Sequence, residues 1–362
     1  MTVRVGFIGA GFIAEHHVEG LVVSGADAEV AAVFDPDGSR ATRFAERHGA
    51  VVADSERALV DAVDAVYVCT PTVEHPRLVR LVAAAGRAVF CEKPLGVGLA
   101  EARDVAAAVA DAGVVNQVGL VLRDSPSFLL LRSLIADPAD GPLLTVIFRD
   151  DQYLPVRGVY GSRWRGEVAS AGGGTLIEHS IHDLDLLTWL CGPVASVSAR
   201  TAHHHGIEGI EDVAGVHLEF ASGGTAHLVS VWHDVLGRPS LRHVEVFRQR
   251  GWYALEGDVW GPLRWQRSSV EDVAAADAAP AGLPGGAVRG EPQTPTAVEG
   301  DALRAELRRR GVRLRWPDGA FVAAVASETP AYPSVAEALD AHLLADAAYR
   351  SAAAGGVWLA PG

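Results

Sequence analysis

Lysine occurs once in this chain, at Lys93 in the stretch VFCEKPLG, while the other thirty strong bases are arginine. A solvated surface charge can be either residue, but an ammonium on a flexible stem can shift its pKa and hand over a proton, which a guanidinium cannot. Drift toward arginine codons, or chance, could leave one lysine behind; a chemical role is the other explanation. A second pair of suitable groups stands in GGGTLIEHSIHDLDLLTWLCG (172–192), where Glu178 and His182 are four residues apart. On a helical pattern this spacing puts both on one face, with Asp185 a turn further on. Histidine needs only a small shift to carry protons near neutral pH, and a nearby carboxylate can orient it and stabilise imidazolium. These types suit proton transfer at a hydroxyl.

Short Val-rich apolar runs alternate with amphipathic segments from residue 3 to about 123: VRVGFI, EVAAVF, AVYVCT, AVFCEK and VVNQVGLVL. Fully apolar strands interleaved with helices predict a parallel sheet covered on both faces, a doubly wound α/β Rossmann domain over residues 1–124. Directly after the first strand comes Gly9-x-Gly11-x-x-Ala14, with Phe12 and Ile13 between the motif positions. Gly9 permits the tight turn, Gly11 lets backbone approach a pyrophosphate, and Ala14 lets helix and strand pack closely. Asp35 closes the second strand, where an acid binds the ribose 2′-hydroxyl of NAD. It would repel the extra phosphate of NADP, although Ser39 and Arg40 lie close enough to bind that phosphate in a rearranged loop. NAD is expected, with NADP possible. Thr70 and Pro71 end one core strand and Lys93 follows another, so they sit where ligands bind in open α/β sheets.

Beyond residue 140 longer strands follow one another, including LLTVIFRDDQYL, DVAGVHLEF, TAHLVSVWHD and HVEVFRQRGWYALEG, with ASGG (221–224) as a hairpin turn. Residues 125–362 are therefore expected to form an α+β domain, a mostly antiparallel open sheet with helices on one face. The Ala-, Pro- and Gly-rich stretch 269–296 has no periodicity and reads as a mobile loop. Ser334 with Glu337 three residues on predicts the capped start of a C-terminal helix.

A net charge of −14 opposes binding to nucleic acid, and the one basic run, RAELRRRGVRLR (304–315), reads as a solvated helix face running into a strand. Cys69, Cys91 and Cys191 form no C-x-x-C pair, which fits a reducing compartment. No run reaches the ~18 apolar residues of a membrane span. The N-terminus enters a strand without a charged leader, so a cytoplasmic protein is expected.

The order GAGFIAEHH, CTPTVEH (69–75), CEKPLG and the glycine-rich helix segment resembles the Gfo/Idh/MocA family of NAD(P)-dependent oxidoreductases, named for glucose-fructose oxidoreductase and inositol dehydrogenase. The resemblance implies that Lys93 reaches a substrate hydroxyl and that His182 faces the nicotinamide. Glu178 stands where the family usually has Asp, and Ser180 where it has Gly, so Glu178 either touches substrate or supports His182. His75 and Glu92 match positions near the cofactor. Arg123 matches the cleft or forms a hinge salt bridge, and Tyr153, Arg163 and Trp164 are placed to line the cleft. The implied activity is hydride transfer between nicotinamide and a secondary alcohol of a sugar, polyol or cyclitol, in a homodimer or homotetramer paired through the second sheet. Two alternatives are glycoside cleavage assisted by bound NAD without net redox change, and a non-catalytic NAD-binding regulator. His179 reads as structural, and no metal site is expected, because His179, His182 and Asp183 lack a further ligand at helical spacing.

Overall fold

A computed structural model of the chain describes residues 2–158, 160–277 and 294–362. Six strands, β1 (Val3–Ile8), β2 (Ala28–Phe34), β3 (Val51–Val52), β4 (Ala65–Val68), β5 (Ala88–Cys91) and β6 (Asn116–Val118), form an all-parallel sheet in the order β3-β2-β1-β4-β5-β6. β4 and β5 are buried at every position, because helices cover both faces. The order reverses between β1 and β4, and the crevice beyond their carboxyl ends is where such sheets take ligands.

The second sheet has eight strands: β7 (Leu143–Tyr153), β8 (Val194–Ala202), β9 (Val213–Phe220), β10 (Thr225–His233), β11 (Leu241–Arg248), β12 (Gly251–Glu256), β13 (Leu263–Arg267) and β14 (Thr296–Val298). Their order is β14-β13-β12-β11-β7-β10-β9-β8, antiparallel except for β7 against β10. Inward positions alternate along the strands, as in Ala226, Leu228, Ser230 and Trp232 of β10, the pattern of a sheet packed on one side. Helices Pro126–Ile135, Ile181–Cys191, Gly300–Arg309 and Val335–Ala353 supply the opposing apolar face. The last of these opens with the capping box of Ser334 and Glu337.

Three expectations change. The aperiodic stretch 269–296 contains a helix, Val270–Asp277, and runs into β14, while its middle, 278–293, lies outside the described residues. Residues 312–316 after the basic helix form no strand. The chain also returns to the first sheet: Phe321 and Val322 complete one of its cores, and Val335 and Ala338 the other. Residues 317–339 thus pack with the N-terminal domain, although a boundary at 124 assigns them to the second. Among the described residues no helix is long and apolar enough to cross a membrane.

Candidate active site

The first strand leaves the sheet through Gly9, at φ +93°, where a Cβ would fall 2.7 Å from the carbonyl carbon of Cys69. Only glycine fits that close, left-handed turn. Gly11 caps helix Phe12–Ser24 in extended conformation without a side-chain cap, and a Cβ there would meet nothing within 4 Å. The first-turn N–H groups therefore stay open to an anion. Ala14 is fully buried, whereas Phe12 is exposed at the rim beside Ile13. Asp35 accepts hydrogen bonds from Ala10 N at 2.9 Å and Asp37 N at 2.8 Å, with the Arg40 guanidinium 3.6 Å away. These groups line a cleft of about 1110 Å³, whose wall also includes Tyr160, Ser162, Trp164 and Arg165 of the second domain. That exceeds the ~300–1,000 Å³ of ordinary small-molecule sites. Thr70 and Pro71 are on its wall, and the buried Thr70 hydroxyl has no hydrogen-bond partner. A glycine cradle, an orphaned hydroxyl and an acid at the end of β2 fit a dinucleotide.

Lys93 follows β5, and its Nζ donates to the carbonyl oxygen of Glu178 at 2.6 Å. Burial, then the charge of Arg165, lowers the Lys93 pKa. The His182 pKa is held well below the ordinary imidazole value by burial and then by Lys93, Arg242 and His179. The ring is therefore neutral, its Nδ1 is buried without a partner, and neither His182 nor Lys93 is on the wall of the cleft.

Glu178 and His182 do not share one helical face. The helix breaks after Thr175–Glu178 and restarts at Ile181–Cys191. Ser180, at the break, sends its hydroxyl into the second sheet, 2.6 Å from Ser230 Oγ. The Glu178 carboxylate turns to the first domain instead, accepting from Thr72 Oγ1 at 2.7 Å and from Arg165 Nε at 3.1 Å. Arg165 also lies over the Trp164 ring, 4.7 Å from its centroid.

Other expected residues take supporting places. His75 is buried, with Nδ1 2.6 Å from the Pro94 carbonyl and Nε2 3.0 Å from the Thr70 carbonyl, so it braces two strand ends and lies off the cleft wall. Glu92 is likewise buried and points to His17 at 3.0 Å. Arg123 grips Asp185 with two hydrogen bonds, 2.8 and 2.6 Å, reaches Glu337 at 3.3 Å, and is off the cleft wall. Tyr153 ends β7 beneath Gly158 and is off the cleft wall.

A buried ionic cluster escaped the sequence reading. Arg242 of β11 donates to Asp183 at 2.6 Å, Asp150 at 3.0 Å and Asp258 at 2.8 Å, and His179 Nε2 lies 3.1 Å from Asp150. Burial pushes Asp183 up to about 7 and His179 down to about 3. The available signal was an arginine two positions from Val244 and four from Val246, on the inward register of its strand.

Residues 3–120 match the oxidoreductase family with an NAD-binding Rossmann fold, and residues 128–254 match the GFO/IDH/MocA C-terminal domain. Inositol 2-dehydrogenase of Rhizobium meliloti (strain 1021) is 34% identical over 71% of this chain and 76% of its own length. The 1,5-anhydro-D-fructose reductase of Ensifer adhaerens is 31% identical over 64% of this chain and 68% of its own. Among solved structures, a levoglucosan dehydrogenase in complex with NADH superposes with a TM-score of 0.83 over 100% of both chains at 19% identity, a likeness of fold. With the glycine turn, the acid after β2 and the two matched domains in place, this chain belongs to the Gfo/Idh/MocA family of NAD(P)-dependent oxidoreductases.

Proposed function

We propose that the protein is an NAD(H)-dependent dehydrogenase or reductase acting on a secondary alcohol or ketone of a sugar, polyol or cyclitol. One observation carries this reading: two reactive nitrogens, Lys93 Nζ and His182 Nδ1, one from each domain, have no carboxylate partner among the described residues. The buried arginines, by contrast, are paired, Arg123 with Asp185 and Arg242 with three aspartates. The names of the relatives, an inositol dehydrogenase and an anhydrofructose reductase, support the substrate class. Asp35 at the end of β2 supports NAD over NADP.

The first-turn N–H groups after Gly11 would hold the pyrophosphate, Asp35 the ribose, and the unpartnered Thr70 Oγ1 a further polar group of the dinucleotide. Bound NAD supplies a hydride acceptor, and NADH a hydride donor. In the oxidative direction Lys93 Nζ, in its neutral form, takes the hydroxyl proton; in the reductive direction it returns one. Burial lowers the amine pKa, which favours the neutral form that this step needs. The neutral His182 ring hydrogen-bonds the same oxygen through Nδ1. Arg165 and Trp164 close the wall against water, and Glu178 holds Arg165 there.

The deciding experiment is a screen of sugars, cyclitols and their keto forms read by NADH absorbance. Sustained NADH formation with at least one alcohol is expected; cleavage without net redox change, or no turnover with any compound, would sink the reading. We further propose that subunits pair through the outer face of the eight-stranded sheet, where Ile147 and Val229 are exposed and His217 packs against His227. Sedimentation should then give a dimer or tetramer.

A further inference from the structure

His17 lies in the middle of helix Phe12–Ser24, whose N-terminus forms the cofactor cradle, and it is 1% exposed. Both ring nitrogens face carboxylates: Nδ1 is 2.8 Å from Asp318 Oδ1, and Nε2 is 3.0 Å from Glu92 Oε1. Asp318 comes from the helix Pro317–Ser327 that returns to the first domain. Glu92 immediately precedes Lys93, and its other oxygen accepts from Lys93 N at 3.3 Å. The packing makes room for both acids. A Cβ on Gly20 would fall 2.8 Å from Asp318 Cγ, and one on Gly119 would fall 2.8 Å from Glu92 Cδ. The ring itself is fixed edge-on to Phe90 at 4.7 Å and against Tyr67 at 5.3 Å.

We propose that His17 is a positioning residue: clamped between Asp318 and Glu92, it fixes the carboxylate that braces the Lys93 turn and joins that turn to the cofactor-binding helix. The inference rests on the reading of Lys93 as the reacting amine.

Two anions on one ring call for a ring that donates from both nitrogens, an imidazolium. Burial by itself would drive the proton off, but the hydrogen bonds and charges of Asp318 and Glu92 outweigh it and push His17 up to about 9. Burial likewise opposes the charge on Glu92, and the His17 hydrogen bond overcomes it, so the carboxyl stays ionised below its ordinary range. The other groups around the chain are settled. Burial, reinforced by these acids, keeps Tyr67, Cys69 and Cys91 protonated, and Lys93 is the other cation whose field reaches Glu92. Lys93 and His17 therefore share Glu92, and their titrations are coupled through it.

Because Lys93 is the only lysine, lysine labelled with carbon-13 at Cε gives one resonance for the full-length protein. In the wild-type protein that resonance should move twice: once with its own deprotonation and once near pH 9 as His17 loses its proton. A single displacement, with nothing at the His17 titration seen in histidine nitrogen spectra, overturns the proposal, whatever any variant does. His17→Gln removes a cation and frees Glu92, so the Lys93 midpoint should move to higher pH and the second displacement should vanish. An unmoved midpoint in a folded His17→Gln protein also overturns it. With an active substrate, the same variant should lower kcat by about 10- to 100-fold, with KM for the alcohol little changed. If no alcohol is turned over yet the Lys93 resonance reports His17, the brace stands and the reading of the chemistry falls. If turnover is found and the resonance is silent, the reverse holds.

Discussion

Lys93 Nζ and the main-chain carbonyl of Glu178 are 2.6 Å apart, so the lysine of the first domain is held by the backbone of the second. Glu178 meanwhile spends its carboxylate on Thr72 and Arg165. Burial, reinforced by the charge of Arg165, favours the neutral amine against the opposing charges of Glu178 and Glu92. The residue that looked like the acid partner of the site thus acts through two other groups, its carbonyl oxygen on Lys93 and its side chain on the cleft wall.

Lys93→Arg keeps a positive charge at the same turn but cannot give up a proton at physiological pH. Turnover should fall by about 10²- to 10⁴-fold, the usual worth of a general acid–base group, while NADH binding followed by fluorescence stays as in the wild type. Full activity in this variant would remove Lys93 from the chemistry.

Gly9→Ala and Gly11→Ala should separate. The first places a Cβ against Cys69 at a left-handed φ, which costs at least about 1–3 kcal/mol in strain, so thermal unfolding should move to lower temperature. The second meets nothing in the protein and should leave the melting temperature unchanged, while its methyl group stands where the pyrophosphate approaches and weakens NADH binding. Wild-type affinity in Gly11→Ala would move the pyrophosphate elsewhere.

Asp35→Ala removes the acceptor for Ala10 N and Asp37 N and releases Arg40. Hydrogen bonds to a charged group are worth about 1.5–3 kcal/mol, so the ratio of kcat/KM for NAD to that for NADP should drop by roughly tenfold or more. An unchanged ratio would show that Asp35 does not read the ribose.

Asp183 carries a pKa raised from 3.8 to about 7 by burial. A raised folded-state value means that its contribution to stability is complete below about pH 3.8 and is lost as the pH climbs through 7. Asp183→Asn should therefore flatten the urea midpoint against pH across that interval. Arg242→Leu leaves the surrounding carboxylates without their cation and should cost about 3–5 kcal/mol near neutral pH. A midpoint equally steep in Asp183→Asn would move the titration to Asp150, which burial also raises.

The cofactor half was legible because turn geometry dictates residue type: the Gly9 conformation admits only glycine, and an acid at the end of β2 has one common use. The layering was legible too, since β4 and β5 read as unbroken apolar runs and β9 and β10 as alternating ones. The break at Ser180 was not, because the apolar period of residues 175–191 continues through it. What interrupts the helix is tertiary, the hydroxyl of Ser180 reaching Ser230 and the Glu211 carboxylate taking the N–H groups of Gly174 and Leu176. His17 and Asp318 are 301 residues apart, a separation at which no local pattern links a histidine to its acid. For Arg123 the residue type allowed two readings, and only the fold brings Asp185 against it.

The return of residues 317–339 to the first sheet bears on how the chain is made. The nucleotide-binding strands leave the ribosome well before residues 317–339, yet Phe321, Val322, Val335 and Ala338 belong to their two cores. Domains made early in synthesis can ordinarily fold while the rest is still being added. Here the two cores of the first domain stay incomplete until residues 317–339 have followed the second sheet out of the ribosome, so the dinucleotide site and the sheet that faces it mature together.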